Sequence, residues 1–162
     1  MAPPILVIGN KNYSSWSLRP WLLLRHFGVE FEERRLLLDT PEFQREVGHW
    51  SPTARVPVLV DDGLTVWDSL AICEYANEQW LSGAGWPPER SARAQARAAA
   101  AEMHSGFAAL RTQLPMNSHR QRHPGRRCGE PKATNAAEPM ALPSAIVTRM
   151  LTGACVAVIT LT

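Results

Sequence analysis

The hydrophobic positions fall in short blocks separated by turn-forming residues. Ile5 to Ile8 is wholly apolar and closes at Gly9, the pattern of a buried central strand. Asn10 to Ser15 is polar and turn-forming. A helix is expected from about Ser15–Ser17 to Phe27, stopped by Gly28, with Pro20 near its first turn, where a missing N–H costs least. Glu32 to Leu38 reads as a second strand, with Phe31 and Leu36 toward the core. Asp39-Thr40-Pro41-Glu42 opens a short helix or an irregular turn. Val58 to Trp67 reads as a hairpin turning at Asp62-Gly63. Ser69 is expected to cap a helix ending at about Trp80 or Leu81, with Leu70, Cys73, Ala76 and Trp80 at helical spacing. Gly83 and Gly85 end it.

The order is βαβαββα. A strand, a helix and a strand favour a parallel unit, and the hairpin adds antiparallel strands. The expected fold class is α/β: a mixed four-stranded sheet with helices on both faces, the thioredoxin-like arrangement, over residues 1–82. Residues 83–88, with Pro87-Pro88, read as a linker. Glu89 to Leu114 is alanine-rich and helical by propensity, so residues 89–117 are expected to start an α-helical domain. Arg90, Arg93 and Arg97 mark its solvated stripe. Ala94, Ala98, Ala101, Phe107 and Leu110 are its expected contact face.

Composition divides the 162 residues at the same place. Through residue 117 there are 11 basic and 13 acidic residues; beyond it there are 6 basic and 2 acidic. All 12 aromatics lie at or before Phe107. Pro124, Pro131, Pro139 and Pro143 interrupt any helical pattern in residues 118–162. That segment is expected to be an irregular tail, the product of an altered reading frame or a truncated gene, leaving the helical domain incomplete. His119 and His123, with Arg120, Arg122, Arg126 and Arg127, form a basic cluster without interleaved aromatics, so nucleic acid is not an expected partner. No apolar run reaches the roughly 18 residues of a membrane span, and no basic region precedes the first apolar run. Cys73, Cys128 and Cys155 are far apart, without CxxC or Cys/His metal spacing. A cytoplasmic chain without a metal is expected.

Four motifs occur together: Tyr13-Ser14-Ser15-Trp16-Ser17-Leu18-Arg19, Ser51-Pro52-Thr53-Ala54-Arg55-Val56-Pro57-Val58-Leu59, Val66-Trp67-Asp68-Ser69, and Ala71-Ile72-Cys73-Glu74-Tyr75. Together they resemble the N-terminal domain of cytosolic glutathione transferases. The serine-rich turn is most similar to the zeta class, which includes maleylacetoacetate isomerases and usually carries a cysteine where this chain has Trp16.

The resemblance implies glutathione as co-substrate, a small electrophile as second substrate, and a homodimer. A free thiol titrates at about 8.5, so such an enzyme must stabilise the thiolate. A hydroxyl at a helix N-terminus does so. By resemblance Ser14 is the catalytic hydroxyl and Ser15 a supporting or substitute donor; as sequence alone, both serve equally as helix caps. The resemblance makes the Val56–Pro57 bond cis, with the Val56 backbone pairing the cysteinyl unit of glutathione. An ordinary trans proline is the reading without it. Ser69, and a carboxylate that Asp68 would supply, are implied for the γ-glutamyl end; Ser69 as a plain N-cap is compatible with that role. Arg55 is placed for the glycine end or for solvent, and Trp16 for the electrophile site or for packing. Ser17 reads as a cap or a satisfied surface hydroxyl, Trp67 and Trp80 as core or interface, Cys73 as a buried small hydrophobe, and His104 as a surface or satisfied residue. The function implied is stabilisation of the glutathione thiolate for attack on a small electrophile. The alternatives are a non-catalytic glutathione-binding module and an inactive truncated product.

Overall fold

A computed structural model describes residues 2–117. The expectations for residues 118–162, including the basic cluster and the irregular tail, lie outside the described residues. The elements are β1 (Ile5–Ile8), α1 (Ser15–His26), β2 (Glu32–Arg35), α2 (Pro41–Trp50), β3 (Val58–Asp61), β4 (Leu64–Trp67), α3 (Ser69–Gln79), α4 (Arg90–Ser105) and α5 (Ala108–Gln113).

The sheet order is β2-β1-β3-β4, with β1 parallel to β2 and antiparallel to β3, and β3 antiparallel to β4. This is the mixed sheet that the pattern predicts. Because side chains alternate across a strand, β1 and β3 feed two cores at once. Leu6 and Leu59 are register partners and face Leu23 and Leu24 of α1 and Ile72 and Cys73 of α3. Val7 and Val58 are also partners and face Phe43 and Val47 of α2 on the opposite side. The hairpin turns at Asp62 and Gly63, both at positive φ (44° and 81°), the two left-handed residues that a tight hairpin needs.

Pro20 lies inside α1, just past its first turn. Several details depart from the pattern. β2 ends at Arg35, short of Leu38. Leu36 N–H still bonds to Ile8 O, but Leu38 N–H is taken by the Asn10 side chain, which ends the ladder. Trp67 is 47% exposed at the end of edge strand β4, so it is not a core residue among the described contacts. The cap of α3 is Asp68 rather than Ser69: Asp68 Oδ1 accepts from Leu70 N (2.9 Å) and Ala71 N (3.2 Å), and Ser69 is the first helical residue.

The alanine-rich stretch divides at Gly106 and left-handed Phe107 (φ 62°). Arg111 accounts for the break. Its guanidinium reaches back to the carbonyls of Met103 and Gly106, satisfying acceptors that end a helix. The buried face of α4 is Ala96 and Ala100, with Met103 beside them, joined to the same core as Leu6 and Trp86. Ala94, Ala98 and Ala101 are exposed, as are Phe107 and Leu110. The supposedly solvated stripe has partners. Arg93 donates to the carbonyls of Pro87 and Pro88, and Arg97 stacks on Trp86 and pairs with Glu74.

Glu89 caps α4. Its carboxylate accepts from Ser91 Oγ (2.6 Å), Ser91 N (2.8 Å) and Ala92 N (2.7 Å). The Ser91 side chain first, then the two backbone N–H groups, hold this carboxyl at about 2. A carboxyl depressed in the folded state stabilises above its unfolded value and ceases to as pH falls through its folded value. Glu89→Ala is therefore expected to melt lower than the parent at neutral pH. The gap should close between about pH 4.5 and 2, as read by thermal unfolding across that range.

Candidate functional site

The loop after β1 folds back on itself before α1 begins. Ser14 N–H bonds to Asn10 O (2.8 Å), which sets Ser14 as the N-cap of α1. Ser14 Oγ accepts from Ser17 N (3.3 Å), and the Ser14 hydroxyl donates to Ser17 Oγ (2.8 Å). Ser17 Oγ also accepts from Gly9 N at the end of β1 (3.1 Å). Ser17 is thus buried and bound to the strand end, not a surface hydroxyl. The two serines stand three residues apart, one helical turn, and form a hydroxyl pair at the positive end of a 12-residue helix.

A cleft of about 540 Å³ opens in front of Ser14. Ser14, Ser15, Trp16, Arg55 and Val56 all line it, together with Leu110 and Arg111 of α5. The structure therefore brings together five of the eight residues singled out by sequence. Pro57 is buried behind Val56, and the peptide bond between them is cis. Among the described residues no hydrogen bond reaches the backbone N–H or C=O of Val56, so both stay available to an extended ligand. Asp68 and Ser69 do not line this cleft; Asp68 connects to it through His104. Asp68 Oδ2 lies 3.0 Å from His104 Nε2, and the His104 ring meets Trp16 edge-on at 5.2 Å. Ser69 Oγ is buried with no hydrogen-bond partner among the described residues. A buried hydroxyl in that condition suits a ligand that supplies the missing bond.

Two guanidinium groups lie against the Trp16 ring. The Arg19 guanidinium lies 4.2 Å from its ring centre and that of Arg111 4.3 Å. Arg19 is 1% exposed and lies one helical turn beyond Trp16. Burial lowers its pKa to about 10; the like charge of Arg111 acts in the same direction, while Cys73 and Asp68 act against it. Arg19, Arg111 and His104 were not singled out by sequence as site residues. The i,i+3 spacing of Trp16 and Arg19 is a local signal for one of them. Nothing local points to Arg111 or His104, because only the folded chain brings α4 and α5 to α1.

A separate cleft of about 620 Å³ lies between the end of α3, Trp86 and α4. Three of its polar side chains are already committed: Asn77 Oδ1 to Gly85 N, Arg93 to the proline carbonyls, Arg97 to Glu74. Among the described residues no group of His, Cys, Asp and Glu is arranged to hold a metal, and no helix is long and apolar enough to cross a membrane.

Residues 13–79 match the family "Glutathione S-transferase, N-terminal domain". That segment is a glutathione S-transferase N-terminal domain. A probable maleylacetoacetate isomerase of Caenorhabditis elegans is 32% identical over 107 residues, which are 66% of this chain and 49% of that protein. The dichloromethane dehalogenase of Methylorubrum extorquens is 38% identical over 60 residues, 36% of this chain and 21% of that protein. Among solved structures, a glutathione transferase homologue from Burkholderia gl BGR1 with bound glutathione superposes with a TM-score of 0.57 at 31% identity. The match covers 67% of this chain and 57% of that one. A glutathione S-transferase from the Antarctic clam Laternula elliptica, 21% identical with a TM-score of 0.59, shares the fold over 70% of this chain and 49% of its own. The chain thus spans about half the length, or less, of the curated relatives it matches. The serine turn, Val56–Pro57 and Asp68-Ser69 all fall inside residues 13–79.

Proposed function

We propose that the chain binds glutathione and stabilises its thiolate for attack on a small electrophile. The observation that carries this is one cleft lined by Ser14, whose hydroxyl pairs with buried Ser17 at a helix N-terminus, and by Val56, whose backbone has no hydrogen-bond partner among the described residues. In this reading residues 1–82 form the glutathione-binding domain and residues 89–117 begin the helical one. The cysteinyl unit lies along the Val56 backbone, presented by Pro57. The γ-glutamyl carboxylate meets Ser69, its ammonium group meets Asp68, and Arg55 receives the glycine end. Trp16 and the α5 side chains wall the electrophile site. The chain works in the cytoplasm, as a homodimer.

Ser14 is the catalytic hydroxyl, with Ser15 in support. Ser17 has its own proton to give. When the Ser17 hydroxyl donates to Ser14 Oγ, the Ser14 proton is released toward the cleft. Ser14 Oγ then accepts from both the O–H and the N–H of Ser17, which strengthens its own O–H as a donor. The bound thiol loses its proton to solvent, and the thiolate takes the Ser14 hydrogen bond. Sulfur then bonds to the electrophilic carbon, and that carbon's leaving group departs with the electron pair, or an adjacent double bond shifts and takes up a proton.

The test is the ultraviolet absorbance of the glutathione thiolate, titrated with pH on the purified chain. The expected result is a thiolate band at neutral pH, below the free thiol value of about 8.5. Ser17→Ala is expected to move the midpoint up by about one pH unit, the equivalent of one hydrogen bond. Bound glutathione with no such band would make the chain a binding module without this chemistry. Absence of binding would remove the glutathione reading altogether.

A further inference from the structure

His104 comes from the segment after the linker, yet it touches the residue that caps α3. Asp68 holds a left-handed backbone (φ 78°), unfavourable for a residue with a Cβ and maintained here by its bonds. Its Oδ1 accepts from Leu70 N and Ala71 N, and its Oδ2 faces His104 Nε2 at 3.0 Å. An ionised carboxylate offers about four acceptor positions. Three are filled by the described residues, and the fourth, on Oδ2, belongs to a side chain that is 43% exposed.

The bond to Asp68 requires a proton on Nε2. Nδ1 is buried with no hydrogen-bond partner among the described residues, so Nε2 is the ring nitrogen that serves Asp68. The bond from Nε2 fixes the orientation of the Asp68 carboxylate. The edge-on contact with Trp16 at 5.2 Å keeps the ring from turning away. Ser69, the next residue, holds the buried hydroxyl that lacks a partner.

We propose that His104 is a positioning residue: through Asp68 it aims one open carboxylate position at the ammonium group of the γ-glutamyl unit. The helix after the linker thereby completes a subsite whose other residues belong to the transferase domain. This rests on the glutathione reading above.

The test compares two ligands on the full chain by calorimetry: glutathione, and the analogue in which hydrogen replaces the γ-glutamyl α-amino group. His104→Phe keeps a ring against Trp16 and removes the donor. It is expected to raise the Kd of glutathione roughly tenfold, the worth of one charge-assisted hydrogen bond, and to leave the analogue's Kd unchanged. His104→Gln, with an amide N–H of similar reach, is expected to restore the preference for glutathione. Should His104→Phe not fold, Asp68→Asn serves. Asparagine keeps the helix cap and tolerates left-handed backbone, so only the preference for the amino group should be lost. Equal weakening of both ligands, or no change in either, would overturn the role of His104. A parent chain that binds neither ligand would overturn the glutathione reading, and this one with it.

Discussion

Ser14→Ala is expected to lower kcat for conjugation by about two orders of magnitude, the usual effect of removing one preorganised donor from a developing anion. Ser14 is 7% exposed and faces the cleft, so the loss falls on the thiolate rather than on general contact with the tripeptide. The dissociation constant of glutathione should change by only a few-fold. The same substitution removes the N-cap of α1, because Ser14 Oγ accepts from Ser17 N, and about 1 kcal/mol of stability goes with it. Ser14→Thr keeps both the cap and the hydroxyl and should recover most of the rate. Steady-state kinetics beside calorimetric binding separate the two effects. Equal losses in kcat and in affinity would contradict a thiolate-specific role, and a full effect on Ser15→Ala alone would move the catalytic hydroxyl to that residue.

Leu59→Ala is expected to destabilise the fold by about 2–5 kcal/mol, a large share of the roughly 5–15 kcal/mol that holds a typical domain together. Leu59 is fully buried in central strand β3, in register with Leu6 and packed toward α1 and α3. No neighbour can fill the space cheaply, since Leu6, Leu23, Leu24 and Ile72 are themselves fully buried. Leu64→Ala in edge strand β4, at a side chain that is half exposed, is the matched control and should cost much less. Denaturant melts of the two variants give the comparison, and similar midpoints would contradict this account of the core.

Both predictions depend on features legible at different levels. The strands were readable because Ile5–Ile8 and Val58–Val60 are apolar runs too short for helices, and Asp62-Gly63 is a hairpin turn by residue type. The serine turn, Val56–Pro57 and Asp68-Ser69 are contiguous motifs, so they were legible as a set. The contact face of α4 was not. Ala94, Ala96, Ala98, Ala100 and Ala101 are nearly equal in polarity, and a pattern needs contrast to choose one stripe over another. Ser69 and Asp68 exchanged the capping role because the left-handed turn at Asp68 lets its own carboxylate reach the free N–H groups of α3. A positive φ at a residue other than glycine is set by surroundings, not by local preference.

The sequence by itself determined the order βαβαββα, the hairpin and the two-sided core. These rest on periodicity, turn chemistry and short contiguous motifs, all of which act within a few residues. Only the tertiary structure decided that Arg19 lies buried against Trp16, that Arg111 also meets that ring, and that His104 bonds to Asp68. Those contacts join α1, α3, α4 and α5, elements up to nearly 100 residues apart in the chain. Their geometry exists only after the sheet has gathered the helices, because loop closure leaves no local trace of which distant side chain will arrive.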